Sequence, residues 1–361
     1  MESTRWLRLA PLALAVVAGA IGFGRPVAGA AGDPLWDPPS CPSADTGGPP
    51  GGAAWYRLDP ALDGHGALAS VRLTVGLAGA RGRWLALAPE SFASGPVAGR
   101  VLAGTDDGSV SQLRLLDPDR GCATAVASER AVIRSAVLAA DGRSIYEHRV
   151  DRRSREDLGV WRRALSAGGT TIGAAVRVLP GLARDAVHGR TFTTELLAGE
   201  DGRVVVSSCG TEACRVRVLD PADGSVSLVD GTGAALGVAG TRLVARAACA
   251  GNPCGLVAAD LATGGRSTLV EAAVAAALSG GELVYEVPGG RVAALDVATG
   301  RRTGPADVGG VPVRGGSLAE GGASAPAGMV ALAPGGRPTG PGMRVFDPRR
   351  GTSTVIEEVR R

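Results

Sequence analysis

The side chains that could do chemistry in this chain are few and widely spaced. The three His are His65, His148 and His188. His65 and His188 lie beside Gly in turn-like stretches, whereas His148 lies in a strand-like run between Glu147 and Arg149. A metal or catalytic site needs several such groups to converge. A three-His metal site would require loops from three separate units to meet, and we do not expect one.

The motifs that mark common active sites are missing from the sequence. It contains no Gly-x-Ser-x-Gly elbow, no His-Glu-x-x-His pair and no Walker loop for phosphate. The acidic runs at 106–107 and 117–119 lack the ladder of oxygen ligands that a calcium loop carries. We expect them to stabilise turns. The sequence therefore predicts no catalytic residue, no bound metal and no cofactor.

Six Cys follow the N-terminal leader, and four of them form two close pairs. One pair flanks Gly-Thr-Glu-Ala and the other flanks Ala-Gly-Asn-Pro. Disulfides are expected in an exported chain with an even number of Cys. The predicted disulfides are Cys209–Cys214, Cys249–Cys254 and Cys41–Cys122. The alternative is a four-Cys metal site, because both spacings fit zinc; the export signal favours disulfides.

Residues 1–30 have the features of a secretory signal peptide. Arg5 and Arg8 supply the positive region, residues 9–23 the apolar core, and residues 28–30 the small-residue cleavage site. The apolar core is shorter than the roughly 20 residues of a membrane-spanning helix. We therefore predict removal of the leader, location outside the cell or at the exterior of the cell envelope, and no integral membrane span in the mature chain.

Charge and composition narrow the class of partner. The leader carries three Arg and one Glu, so its removal lowers the formal net charge from +3 to +1. A nucleic-acid-binding protein usually carries a strongly basic face. Aromatic residues make up only 3% of the chain, which disfavours the stacking used for sugars and quinones. We expect a monomer that binds a protein or a small-molecule ligand and no nucleic acid.

One short pattern recurs along the chain. An apolar strand ends in Asp, a turn follows that ends four residues later at Gly, and a second strand comes next. The clearest copies are residues 215–224, 255–264 and 291–300. The marker Asp residues are Asp59, Asp117, Asp220, Asp260, Asp296 and Asp347. Six intervals from Asp59 to Asp347 average 48 residues if a divergent copy ends at Leu165, and this matches a four-stranded propeller blade.

The repeat predicts an all-β fold, a single β-propeller over residues 54–361, preceded by a signal peptide (1–30) and a Pro/Gly-rich tail (31–53). The hairpin count favours seven four-stranded blades, with six as the alternative. Two β-sandwiches would not be expected to place hairpins at such a regular interval. The units are also longer than the coils of a parallel β-helix. The first unit lacks two inner strands, which either the tail or another unit must supply.

Some inner strands can be assigned from composition. Small residues suit the crowded axis of a propeller, so the Ala-rich runs 234–239 and 271–278 are expected to be inner strands. The strand at 84–88 is assigned to the second unit, ahead of the strand at 101–104.

Two stretches resemble known propeller repeats. Residues 292–300 (VAALDVATG) resemble the repeat of quinoprotein-type propellers, and residues 139–142 (AADG) resemble TolB-like and WD40-like repeats. The resemblance covers most of residues 54–359 and implies a propeller fold. Thr303-Gly-Pro stands where the quinoprotein repeat carries Trp. The resemblance therefore does not extend to quinone binding.

A propeller of this kind is expected to bind on the face that holds the loops between the second and third strand of each blade. The loops assigned to that face are 105–109, 152–157, 210–213, 250–253, 288–290 and 333–342. The candidate binding residues are Arg152, Arg153, Arg155, Glu212 and Asn252. We predict an exported, non-catalytic scaffold that binds through this disulfide-braced face. The alternative is an extracellular hydrolase or lyase, with His148 or His188 near two carboxylates at the channel mouth.

Overall fold

The computed structural model describes thirteen segments of the chain. They are residues 36–42, 54–62, 68–78, 82–89, 91–166, 172–182, 193–199, 201–210, 214–249, 253–313, 322–324, 329–333 and 343–357. The predicted leader, most of the tail, His65, His188, Glu212 and Asn252 lie outside these segments. Within them every regular element is a β-strand, and no helix long and apolar enough to cross a membrane is found there.

The strands are numbered in chain order. The first fourteen are β1 (Ala54–Leu62), β2 (Leu68–Leu77), β3 (Arg83–Leu87), β4 (Phe92–Val97), β5 (Arg100–Asp106), β6 (Ser111–Asp117), β7 (Cys122–Glu129), β8 (Val132–Leu138), β9 (Ser144–Val150), β10 (Asp157–Ala164), β11 (Val176–Leu179), β12 (Thr193–Ala198), β13 (Val204–Cys209) and β14 (Cys214–Leu219). The rest are β15 (Val226–Val229), β16 (Thr232–Ala239), β17 (Arg242–Ala247), β18 (Cys254–Asp260), β19 (Arg266–Ala273), β20 (Ala276–Ser279), β21 (Glu282–Val287), β22 (Arg291–Asp296), β23 (Arg302–Ala306), β24 (Val311–Val313), β25 (Gly322–Ser324), β26 (Val330–Ala333), β27 (Met343–Asp347) and β28 (Thr352–Glu357).

These strands form seven antiparallel sheets of four, the blades of a β-propeller. From the innermost strand a to the outermost strand d, blades 1 to 7 are β25-β1-β2-β3, β4-β5-β6-β7, β8-β9-β10-β11, β12-β13-β14-β15, β16-β17-β18-β19, β20-β21-β22-β23 and β24-β26-β27-β28. The predicted fold class is therefore confirmed, and the blade number is seven.

The recurring Asp-to-Gly turn joins strands c and d in five blades. In blade 5 the carboxylate of Asp260 accepts hydrogen bonds from the backbone N–H groups of Ala262 and Thr263, at 3.0 and 2.8 Å. Gly264 closes the turn at φ +72°, which suits glycine. Blade 3 lacks the marker, as predicted, because strand c ends there beside Leu165, which forms an isolated bridge to Ile172. The turn chemistry therefore accounts for the regular cadence of the sequence.

Two assignments in the first unit were wrong. Asp59 is not at a turn but inside β1, opposite Arg72 on β2, and its carboxylate accepts a 2.8 Å hydrogen bond from Arg57. The strand continues past Asp59 because the ladder between β1 and β2 extends to Leu62. The strand at Trp84 pairs with β2 and is the outer strand of blade 1, not an inner strand of blade 2.

The missing inner strand of blade 1 comes from the far end of the chain. β25 lies between β24 and β26 in sequence, both of which belong to blade 7, yet it pairs with β1 of blade 1. Tyr56 is opposite Ser324 and Leu58 is opposite Gly322 in this ladder. The first and last blades therefore share a stretch of chain, which closes the ring.

The hydrophobic core is divided among the seven seams between adjacent blades. Each seam holds one cluster of buried apolar side chains, such as the one that joins Leu196 and Val204 of blade 4 to Tyr146 and Val160 of blade 3. At the closing seam the fully buried ring of Trp55 on blade 1 packs against Ala331 and Val345 of blade 7. Blade-to-blade packing therefore holds the ring together.

The described part of the tail lies across the outer edges of blades 1 and 2. The N–H of Trp36 donates to the carbonyl of Trp84 at 2.9 Å, and the N–H of Cys41 donates to the carbonyl of Ala123 at 3.0 Å. Cys41 and Cys122 form the predicted disulfide. The tail thus ties two blades together from outside.

The Ala-rich runs are only partly as expected. Residues 234–239 belong to β16, the inner strand of blade 5, as predicted. Residues 271–278 are instead divided between the end of β19, an outer strand, and the start of β20, the inner strand of blade 6. A short Ala-rich run fits either place because Ala is small enough for the axis and apolar enough for a seam.

Candidate functional site on the b–c loop face

Where the structure describes them, the segments predicted to form a binding face lie at the connections between strands b and c. Residues 211–213, 250–252 and 334–342 of these segments lie outside the described residues. Because successive strands of a blade are antiparallel, these connections lie on one face of the ring. We define the b–c loop face by the described residues of these connections, 107–110, 151–156, 210, 248–249, 253 and 288–290. The Asp-to-Gly turns lie on the opposite face, the c–d turn face, defined by residues 118–121, 220–225, 261–265, 297–301 and 348–351.

Two disulfides brace neighbouring loops of the b–c loop face. Cys209 ends strand b of blade 4 and is bonded to Cys214, which begins strand c. Cys249 is bonded to Cys254 in the equivalent place in blade 5. Both predicted pairs are therefore disulfides, and with the third bridge they indicate a protein that functions outside the reducing cytoplasm.

A bidentate ion pair links the loops of blades 2 and 3. The Nη1 and Nη2 of Arg152 donate to the two carboxylate oxygens of Asp106 at 2.9 and 2.8 Å, and its Nε donates to the carbonyl of Arg130 at 3.1 Å. Burial would raise the pKa of Asp106, but hydrogen bonds from Arg152 and Ser111 outweigh it and leave that pKa below its usual range. Arg152 therefore fixes the position of its loop.

The loop of blade 3 is a tight turn capped by its own first residue. The carboxylate of Asp151 accepts hydrogen bonds from the backbone N–H groups of Arg153 and Ser154, at 2.9 and 2.7 Å, and from the Ser154 hydroxyl at 3.0 Å. The N–H of Arg155 donates to the carbonyl of Asp151 at 3.0 Å. Arg155 has φ +59°, a left-handed conformation that is rare outside glycine. This turn holds an arginine where glycine is favoured.

The five candidate binding residues have different surroundings. Arg152 is engaged by Asp106, whereas Arg153 and Arg155 are exposed and project from the rigid turn. Glu212 and Asn252 lie outside the described residues. Binding by any of the five stays a prediction.

A buried His–Asp pair lies at the base of this loop. The Nε2 of His148 is 2.9 Å from a carboxylate oxygen of Asp157, and the two side chains are 2% and 0% exposed. The carboxylate also accepts the backbone N–H groups of Gly159 at 2.7 Å and Leu182 at 2.8 Å. Burial would raise the pKa of Asp157, but these hydrogen bonds, His148 first, leave it lowered. The pair anchors strand c to the crossing that leads to blade 4.

Arg217 faces the same seam from blade 4. It is 7% exposed, and its Nη1 donates to the carbonyl of Pro180 at 2.8 Å. Its Nε and Nη2 have no hydrogen-bond partner among the described residues. Burial lowers the pKa of Arg217, and the nearby charge of Asp157 opposes that shift. The seam between blades 3 and 4 therefore carries both signs of charge below the loop face.

The other side of blade 3 carries a second buried network, facing blade 2. Arg149 and Arg163 share the carboxylate of fully buried Glu147, at 3.0 and 3.2 Å from their Nε atoms, and both reach Glu129 of blade 2. The guanidinium of Arg149 lies 4.6 Å from the centre of the Trp161 ring. Blade 3 is thus held by an ionic network toward blade 2 and by the Arg217–Pro180 hydrogen bond toward blade 4.

These groups do not form a recognisable catalytic or metal centre. Among the described residues no three His, Cys, Asp or Glu side chains are grouped to hold a metal. His148 reaches one carboxylate, Asp157, and both lie inside a seam rather than on an open surface. The pair shapes the loop above it.

The sequence reasoning missed Asp106, Asp157 and Arg217 as parts of one region. The sequence predicts Asp106 only as a turn residue and Asp157 only as part of a charged loop. Arg217 falls in an unremarkable strand, and no local pattern marks it. Only the approach of three adjacent blades brings these residues close to the loop of blade 3.

Similarity to known proteins is seen at the level of fold. No family model matches the chain, and no curated protein matches it. TolB from Acinetobacter baumannii is 14% identical, with 71% of this chain and 63% of that structure covered and a TM-score of 0.44. The β-propeller domain of the Trilobed protease from Pyrococcus furiosus is 10% identical, with 86% and 96% covered and a TM-score of 0.53.

A peptidase structure also aligns with the chain. The acylaminoacyl peptidase of Pyrococcus horikoshii is 12% identical, with a TM-score of 0.53, and the match covers 90% of this chain. The chain spans 52% of that peptidase and 63% of the TolB structure. At these identities the similarity shows the fold alone, a propeller of the kind that the TolB-like resemblance implied.

Proposed function

We propose that this protein is an exported, non-catalytic propeller that binds a protein or small-molecule partner through its b–c loop face. The observation that carries the proposal is that four successive blades have a disulfide or an ion pair at this one face. Disulfides close the loops of blades 4 and 5, and the Arg152–Asp106 pair joins those of blades 2 and 3.

Fixed loops favour binding for a physical reason. A loop that is ordered before it meets its partner loses less conformational entropy on association. Extracellular secretion, in keeping with the leader-like residues 1–30, would present such a face to partners outside the cell.

The second candidate is an extracellular hydrolase or lyase with a site at the channel mouth. Its supporting observation is the His148–Asp157 pair, because a carboxylate that orients a histidine is a common part of acid–base catalysis. Burial of both side chains favours the scaffold instead. The peptidase named above shares the fold across about half of its length, so a propeller with this architecture also occurs in enzymes.

Site-specific photocrosslinking in the exporting cell tests the scaffold. A photoreactive residue is placed at Glu156 or Pro288 on the b–c loop face, and at Ala262 or Ala298 on the c–d turn face as matched exposed controls. The expected result is a discrete covalent adduct from the first pair of positions and none from the second. Equal labelling of both faces would refute the proposal.

A parallel assay addresses the enzyme candidate. The purified secreted protein and its His148→Gln variant are compared on ester, peptide and glycoside substrates. Turnover by the parent that the variant loses, with the fold retained by circular dichroism, would favour the enzyme over the scaffold.

A further inference from the structure

The loop of blade 3 repeats the turn of the opposite face, with one residue changed. In both turns a leading Asp caps two backbone N–H groups and a Ser or Thr hydroxyl, and its carbonyl accepts the N–H four residues later. In five copies on the c–d turn face that fifth residue is glycine, at φ +66° to +74°. In blade 3 it is Arg155, at φ +59°.

The fold does not need an arginine there. Glycine adopts this conformation readily, whereas a residue with a Cβ is strained by about 1 kcal/mol or more. Five other turns in this protein have glycine at the equivalent position. The Arg155 side chain therefore has a use other than closing the turn.

The three arginines of this loop have two kinds of surroundings. Arg152 is held by Asp106, and this pair fixes the turn against blade 2. Arg153 and Arg155 are exposed, and the structure records no hydrogen bond or ion pair of their guanidinium groups with any described residue. Two guanidinium groups are thus held outward on a rigid base.

We infer that Arg153 and Arg155 bind carboxylate side chains of an acidic segment of a partner protein. This inference rests on the proposed function and gives it a partner chemistry. A guanidinium pairs with a carboxylate through two parallel N–H donors, as Arg152 does with Asp106 in this same loop. The exposed acids Asp107 and Glu156 lie on the same face and would repel a dense polyanion. A protein segment with spaced carboxylates fits that mixture of charges better.

Fluorescence anisotropy with a labelled Glu-Ser repeat peptide tests the inference on the full secreted chain. At low ionic strength the parent protein should bind the peptide, and Arg155→Gly should weaken binding about fivefold, as should Arg153→Ala. Arg155→Gly should also raise Tm, because it relieves the strained backbone. A loss of binding together with a gain in stability separates a contact residue from a structural one.

Ala98 supplies the matched control. Among the residues that the structure describes, it is the other non-glycine residue with a left-handed backbone, at φ +47°. It lies in the turn between strands a and b of blade 2, away from the b–c loop face. Ala98→Gly should raise Tm and leave peptide binding unchanged. If Arg155→Gly binds the peptide as the parent does, or if the parent binds heparin and not the peptide, the inference is overturned. Crosslinks at Pro288 that persist in that event would leave the scaffold proposal standing.

Discussion

Two six-residue turns on opposite faces of the ring show how this protein combines repetition with variation. Residues 151–156 of blade 3 and residues 260–265 of blade 5 share their hydrogen bonds, including a main-chain bond from the N–H of the leading Asp to the carbonyl of the sixth residue, 2.8 Å in both. They differ in what surrounds them. The blade 5 turn is held within its own blade, where the N–H of Leu261 donates to the carbonyl of Thr241 at 2.8 Å. The blade 3 turn instead rests on the Asp157 anchor and on the Arg152 pair with blade 2.

The difference extends to the two faces. On the c–d turn face the same sequence solution is repeated with glycine in the strained position, which is what a turn needs for folding alone. On the b–c loop face the described connections are held by several means, a disulfide in blades 4 and 5 and an Asp cap with a shared ion pair in blades 2 and 3. The repeated turns lie on the c–d turn face and serve the fold. The loops that differ from blade to blade lie on the b–c loop face, where a specific function can be accommodated.

The largest expected effect lies at the base of the blade 3 turn. Asp157→Ala removes three hydrogen bonds and leaves the buried His148 without its acceptor, so the free energy of unfolding should fall by about 3 kcal/mol. Urea denaturation followed by tryptophan fluorescence measures it. Asp223→Ala, at an exposed turn of the opposite face, serves as the control and should change stability far less. Equal losses would contradict the contrast between the faces.

A smaller effect is expected at the link between loops. Arg152→Ala leaves the carboxylate of Asp106, whose side chain is 4% exposed, without its bidentate partner, and should destabilise the protein by about 1–2 kcal/mol. Arg152→Lys should recover only part of this, because an ammonium group cannot reproduce the two parallel donors. The same urea titrations decide it, and full recovery by lysine would show that geometry is unimportant here.

Placing arginine in the opposite turn gives the converse test. Gly264→Arg puts a side chain at φ +72°, where open space surrounds the position, so the expected loss of about 1 kcal/mol reflects backbone strain and not a clash. Thermal unfolding measures the change. Gly202→Arg, at φ +88° and equally open, is the control for whether any left-handed glycine responds alike. A stability equal to the parent would show that this turn tolerates arginine without strain.

The smallest effect is a shared response to acid. Hydrogen bonds from the backbone and side chain of Ser154 lower the pKa of Asp151, and those of Thr263 lower the pKa of Asp260. Because both folded pKa values lie below the unfolded one, the stabilisation is present above the ordinary Asp pKa near 3.9 and is lost as pH falls through the folded values. Amide exchange at Arg155 and Gly264 should therefore accelerate together on acidification. A response at only one turn would break the equivalence.

The sequence was sufficient for the fold because its evidence is local. An Asp and a Gly four residues apart are enough to predict the conformation of the turn between them, as at Asp260 and Asp296. The interval between such turns then predicts the size of a blade. The same logic failed at Asp59, where Leu-Asp-Pro recurs as it does at Asp220. There the backbone ladder between β1 and β2 continues to Leu62, so the chain stays extended past Asp59.

The candidate site was only partly predictable for the same reason. The loops could be placed on one face because strand order implies it, and Asp151-Arg-Arg-Ser-Arg155 already carried a readable signal, an Asp turn with Arg in the glycine position. The approach of Asp106 to Arg152, and of Arg217 to the Asp157 pair, depends on seams between blades. Side chains 46 residues apart or more meet there without any local pattern.

The pairing of β25 with β1 limits the order in which the blades can form. The N-terminal strands emerge first during synthesis and export, yet the inner edge of β1 keeps unpaired backbone groups until residues 322–324 arrive. Blades 2 to 6 are contiguous in the chain and can form as they emerge, whereas blades 1 and 7 can be completed only together. The ring can therefore close only after the strands from β1 to β28 have all left the ribosome.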